Sequence, residues 1–209
     1  MLLFGHTGII TGVVKACEIL GSVSRPSHIR QPVPSSRFGT TIHKKRLRLY
    51  RLLSGIKNLM GPIDYRLVLI GSLLPDILDK PLWFFTGGDI FVSGRSYTHT
   101  LLFNLVLFIC GLILVKYRKS WLLIISLGGF MHLILDRIWG DPVVLWWPLL
   151  GPFQRVETTG WIANTLHRLV SDPKVYIPEI IGLIIILLIG YRLMVKKNVI
   201  KFIRTGAID

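Results

Sequence analysis

Leu101-Leu-Phe-Asn-Leu-Val-Leu-Phe-Ile-Cys-Gly-Leu-Ile-Leu-Val115 carries one polar side chain, Asn104, and no charge. A second apolar run follows at once: residues 121–135 are interrupted only by Ser126, two glycines and His132. A third, residues 180–194, has Arg192 as its sole charge. With its flanks, each run reaches the roughly 17–25 residues that cross a bilayer core. Hydrophobic residues make up 51% of the chain and charged ones 17%, too little polar surface to enclose three buried helices of a soluble protein. Its 209 residues suffice for one compact unit and hardly two. The fold class this predicts is all-α: a polytopic transmembrane bundle of four to five membrane helices with a basic amphipathic surface helix. Residues 1–209 form a single membrane domain.

The net charge of +14 raises nucleic-acid binding, but its distribution argues against it. Eleven of the 25 Lys and Arg lie between Lys15 and Arg66; others cluster at Lys116, Arg118, Lys119 and at Lys196, Lys197, Lys201, Arg204. Those are the flanks of apolar segments, where positive charge sets membrane orientation. No aromatic-basic platform accompanies them, so no nucleic acid is expected as a partner. Cys17 and Cys110 lack ligand or disulfide spacing and read as small core residues.

A first helix is expected over residues 7–20; His6, Lys15 and Glu18 break its apolar run and no basic stretch precedes it, unlike a signal peptide. Residues 22–60 read as a basic cytoplasmic loop. Within it, residues 44–60 space Leu47, Tyr50, Leu53, Ile56 and Met60 helically among six Lys and Arg, a pattern suited to anionic lipid headgroups. A helix packed on the protein fits that pattern too. Asp64 is a candidate N-cap for a second helix whose apolar run, residues 67–74, ends at Pro75. It is too short to span cleanly, unless the helix is completed beyond the proline. Gly87, Gly88 and Gly94 mark a loop. Residues 141–177, rich in aromatics and prolines, read as an external lid at the membrane-water boundary, with a short helix over residues 161–170. Pro178 is expected to open the last helix. An alternating path through five helices puts the basic loop, the basic turn at residues 117–120 and the basic tail on the cytoplasmic side. The starts of helices 1 and 3 and the ends of helices 2 and 4 then meet on the external side.

At that level lie His6, Asp76, Asp79, His99, His132 and Asp136. Each is costly beside hydrocarbon, so pairing or metal binding is the default expectation. His132 and Asp136, four apart, share a helix face, as do Asp76 and Asp79, three apart. Imidazole with carboxylate is the ligand set of a divalent metal, zinc first, with manganese or iron as alternatives. Taken singly each residue has a simpler reading: Asp76 a helix cap, His99 a polar helix start, Asp136 half of an ion pair with Arg137. Arg95, one turn before His99, could hold a phosphate or carboxylate through its planar fork or anchor to headgroups. His28 and His43 read as solvated, and nothing near His167 supports a site role.

The segments Gly71-Ser-Leu-Leu-Pro-Asp-Ile-Leu-Asp-Lys-Pro81, Gly94-Arg-Ser-Tyr-Thr-His-Thr100 and His132-Leu-Ile-Leu-Asp136 with Trp147-Pro148, together with the glycines around His6, resemble the membrane-bound metal-dependent hydrolases, the LexA-regulated inner-membrane hydrolases. The likeness covers about residues 1–20 and 65–150. That family commonly has a second Asp two residues after the first; here Leu78 stands there and Asp79 follows. The family is itself distantly similar to zinc-dependent phospholipases C and P1-type nucleases, whose additional His-x-x-x-Glu pair has no counterpart here. The resemblance implies a metal-dependent hydrolase of the cytoplasmic membrane, with Asp76 or Asp136 as ligand or general base and a lipid or phosphoester substrate. Two other classes fit the same residues: an ion-binding or transport protein using the His/Asp cluster as a relay, and a membrane-anchored interaction protein acting through its basic region.

Overall fold

The computed structural model describes residues 3–23, 61–86, 92–156 and 159–208, and among these every regular element is a helix. The chain is all-α, as its composition predicts. The basic amphipathic helix expected over residues 44–60, and Gly87 and Gly88 of the expected loop, lie outside the described residues. The described helices are α1 (Leu3–Val23), α2 (Tyr65–Phe85), α3 (Leu101–Lys116), α4 (Trp121–Leu135), α5 (Pro142–Leu145), α6 (Trp161–Ser171), α7 (Pro173–Val195) and α8 (Val199–Thr205). Single 3-10 turns occur at Tyr97–His99 and Ile138–Gly140.

Asp64 caps α2 as expected, its side chain accepting from the Arg66 N–H. The helix does not stop at Pro75. It continues through Pro75 and Pro81 to Phe85. Each proline lacks an N–H and crowds the carbonyl four residues back. Neighbours take up nearby carbonyls instead: Pro75 O accepts from Thr98 Oγ1 at 3.0 Å, and Ser72 O from His132 Nδ1 at 2.7 Å. The last long helix also starts earlier than expected. Asp172 caps it through the Lys174 N–H, Pro173 occupies its first turn, and Pro178 lies inside. The short helix expected near Trp161 is α6.

Helix lengths correct the expected count. Leu3–Leu20 of α1 and Pro173–Val195 of α7 are long and apolar enough to cross a membrane; among the described residues they are two, fewer than four to five. α3 has 16 residues and α4 has 15, rising about 24 and 22 Å against a core of roughly 30 Å. Thr100 Oγ1 accepts from Phe103 N to open α3, and α4 closes at Asp136, whose backbone N–H bonds to the His132 and Ile134 carbonyls. Cys17 and Cys110 are exposed, not core residues; each lies on an outward, apolar helix flank.

Small residues set the packing. A Cβ on Gly8 would lie 2.0 Å from the Gly182 carbonyl oxygen, and one on Gly71 2.4 Å from that of Ile125, so these backbones touch. The contacts also give direction. Phe4 meets Glu179, Gly8 meets Gly182 and Gly12 meets Ile185, so α1 and α7 run parallel. Gly71 meets Gly128 and Ser72 meets His132, whereas Gly111 meets Leu123 and Asn104 meets Gly129. Hence α3 runs against α4, while α2 and α4 point the same way. Ile10, Val68, Leu123 and Ile124 form the central apolar cluster. Outward, α7 exposes Ile177, Ile180, Ile181, Ile184, Leu187 and Leu188, a flank suited to lipid rather than water.

Candidate metal centre

The starts of α1, α3 and α7 and the end of α4 lie at one end of the bundle, beside the middle of α2. Into that end project His6, Asp76, Asp79, His99, His132 and Asp136. The three imidazoles are fully buried.

Each histidine is oriented by a group that can only accept. The Ser72 carbonyl at 2.7 Å requires a proton on His132 Nδ1, which leaves the lone pair on Nε2. Asp79 Oδ2 at 2.8 Å does the same for His99. With both imidazoles neutral, the two Nε2 lone pairs face one another at 3.3 Å. Asp76 Oδ1 stands 3.4 Å from His99 Nε2 and 3.8 Å from His132 Nε2, buried and without a hydrogen-bond partner. Three electron-rich atoms therefore converge. A single proton would serve one contact of this triangle; a cation serves all three.

The dimensions fit such a cation. Ligand atoms about 2.1 Å from zinc at tetrahedral angles are about 3.4 Å apart. Nearby, His6 stacks on His132 with ring centroids 3.9 Å apart, and its Nε2 donates to Asp136 Oδ1 at 3.1 Å. His6 Nδ1 is buried without a partner. His6, Asp76 and His132 offer ligand atoms within 4.8 Å of one another, as do His99, His132 and Asp136. These buried groups could hold a metal ion.

Asp79 stands apart from both sets. Its carboxylate accepts from Ser96 N at 2.7 Å and Thr98 N at 3.3 Å as well as from His99, so it fixes the loop that carries His99. That is the position of an orienting carboxylate behind a histidine ligand. The ion pair expected between Asp136 and Arg137 is replaced: Arg95 Nη2 reaches Asp136 Oδ2 at 2.7 Å, and Arg137 sits in a left-handed turn. Sequence reading passed over Lys80, whose Nζ lies 2.6 Å from Asp76 Oδ2; its position four residues after Asp76 was the available signal. Asn104 was noted only as a polar interruption. Its Nδ2 ties down the Thr98 and Thr100 carbonyls beside His99. His167 bonds to Ser171 on the exposed α6.

Part of the segment expected as a lid packs against the His99 loop. Tyr97 packs edge-on against Trp147 and Phe153, and Val156 N donates to Val92 O at 2.8 Å. Trp139, Trp146, Leu149 and Leu150 are exposed beside it.

Fold and site together define an all-helical protein with membrane-compatible helices and a buried His/Asp cluster able to take a metal. The chain belongs to the YdjM inner membrane protein family, whose model matches residues 45–200. No curated protein and no solved structure matches it. The matched stretch includes Asp76, Asp79, Lys80, Arg95, His99, His132 and Asp136; His6 precedes it. The family description gives the membrane setting and names no reaction.

Proposed function

We propose that the chain is a membrane-embedded metal-dependent hydrolase acting on a phosphoester or lipid-linked substrate, with zinc as the metal. One observation carries the reading: the triangle of His99 Nε2, His132 Nε2 and Asp76 Oδ1, three lone-pair atoms 3.3 to 3.8 Å apart in a buried site. A divalent cation there would polarise the scissile bond and acidify an attacking water. Asp76 belongs to the ligand triangle, which leaves Asp136 as the proton acceptor. Its Oδ1 shares a proton with His6 Nε2, and Arg95 neutralises its Oδ2. Asp79 and the Ser72 carbonyl keep both ligand imidazoles in the tautomer that presents Nε2.

The same reading has five helices, α1, α2, α3, α4 and α7, crossing the membrane, with short α3 and α4 completed by their polar caps and a locally thinner bilayer. The parallel course of α1 with α7 and of α2 with α4 supports the alternation. Lys116, Arg118, Lys119, Lys196 and Lys197 lie at the end opposite the cluster, which favours a cytoplasmic location for that end and an external metal site beneath the lid. Exposed lid residues Trp146, Leu149 and Leu150 are consistent with a substrate that arrives through lipid.

Metal analysis of purified protein tests the reading. Wild type should hold zinc stoichiometrically and His132→Ala should lose it, and only zinc-loaded wild type should turn over phosphomonoesters, phosphodiesters or esters. Absence of bound metal in wild type would end the proposal. A second reading rests on the 3.3 Å approach of the two Nε2 atoms, which a shared proton could also bridge. A relay or transporter would give ion flux in vesicles without substrate turnover.

A further inference from the structure

Both carboxylates that face the cluster are held on their outer oxygens by cations. Lys80 Nζ grips Asp76 Oδ2 at 2.6 Å, and Arg95 Nη2 grips Asp136 Oδ2 at 2.7 Å. Side-chain exposure rises from the carboxylates to the cations: 1% at Asp136, 11% at Asp76, 25% at Lys80 and 43% at Arg95. The two cations are thus the more exposed partners of the two buried carboxylates. They are also neighbours. A Cβ on Gly94 would lie 3.5 Å from Lys80 Cγ, so the lysine stem crosses the backbone next to Arg95. Trp83 fills the other side of that position, 3.2 Å from such a Cβ, so Gly94 lets the loop that carries Arg95 pack close against α2.

Charge decides what such an arrangement attracts. Asp76, Asp79 and Asp136 contribute three negative charges and Lys80 and Arg95 two positive ones. A bound divalent cation turns the small negative balance of these five side chains into a positive one. In a low-dielectric site that excess is worth far more than in water, and it favours an anion over a neutral ester or amide. Arg95 offers a planar fork and Lys80 a point charge, the two complementary ways of gripping phosphate oxygens.

We propose that Lys80 and Arg95 form a two-cation cradle that binds the oxyanion of a phosphoester and delivers it to the metal centre. This rests on the hydrolase reading and narrows its substrate to one bearing a phosphate. A lipid headgroup and a soluble phosphoester share that chemistry.

The test measures binding of inorganic phosphate to zinc-loaded, detergent-solubilised protein by titration calorimetry. Lys80→Gln and Arg95→Gln should each weaken phosphate binding roughly tenfold to a hundredfold, the loss of one charged hydrogen bond. Zinc stoichiometry should stay at the wild-type level, and Lys80→Arg and Arg95→Lys should keep most of the affinity. Variants that hold zinc and bind phosphate as wild type does would overturn the cradle and make the cations mere supports for the carboxylates. Tighter binding of phosphatidate in mixed micelles than of glycerol phosphate in water would identify a lipid source; equal binding would identify a soluble one, and either supports the cradle. A wild type that takes up no zinc would remove the hydrolase reading instead. Phosphate binding that still falls in the two Gln variants would then retain the cradle, and binding that does not would remove it as well.

Discussion

The two ends of the bundle each gather charged groups, and they treat them in opposite ways. At the end away from the cluster, Lys15 pairs with Glu18 at 2.8 Å and also donates to the Ile208 carbonyl. Tyr65 donates its hydroxyl to Glu18 at 2.9 Å and its N–H to the Gly206 carbonyl at 2.9 Å. Arg66 joins Asp64 at 2.6 Å and the Ile203 carbonyl at 2.7 Å. Donors meet acceptors, and the C-terminal tail is clasped onto α1 and α2. At the other end, acceptor faces acceptor: two Nε2 lone pairs and a carboxylate oxygen crowd together. The first end is arranged for stability alone. The second leaves an electrostatic conflict that a cation would resolve, the mark of a site kept for function at some cost in stability.

Substitutions at the two ends should separate these roles. The largest effect is expected from Asp79→Asn, which keeps the size of the side chain but removes its charge and turns one of its two accepting oxygens into a donor, against the N–H groups of Ser96, Thr98 and His99. Zinc affinity should fall roughly tenfold to a hundredfold, read by competition with a chromophoric chelator; unchanged affinity would make Asp79 a loop anchor only. At the opposite end, Tyr65→Phe removes the hydroxyl hydrogen bond to the half-buried Glu18 carboxylate, leaving its pairing with Lys15 in place. Stability should drop by about 2 kcal/mol with zinc affinity untouched, measured by thermal unfolding in detergent. The smallest effect belongs to Asp64→Ala, which removes the α2 cap at about 1 kcal/mol. The Arg66 guanidinium beside Asp64 holds its carboxyl below the ordinary range. Such a depressed group contributes fully above the unfolded carboxyl value near 4, and its contribution is lost as pH falls through the lower folded value. The gap between wild type and Asp64→Ala should therefore be constant near neutrality and close only in acid.

Much of the site was readable because ionisable residues are scarce in apolar helices. His6, Asp76, His99, His132 and Asp136 stand out against their surroundings, and alternating helices bring four separate segments to one level. What could not be read was the division of labour. Asp76 and Asp79 lie three apart and look equivalent by spacing, yet one faces the imidazole pair and the other the backbone of Ser96 and Thr98. Only the path of the loop over residues 92–100 separates them. Helix ends were likewise hidden. Thr100 and Asp136 flank the apolar runs as polar residues that a longer helix could also have included, and α3 and α4 end at them, below spanning length. Pro75 misled in the other direction. A proline read alone ends a helix, whereas here Thr98 and His132 meet the carbonyls around it from outside.

The direct backbone contact of Gly8 with Gly182 bears on how the chain is made. α1 is made well before α7, so α1 can settle on α2 and α4 first, through Ile10 with Val68 and Ile124, while the glycine contact forms only after α7 has been made. A chain truncated before α7 would leave this bare glycine surface of α1 uncovered.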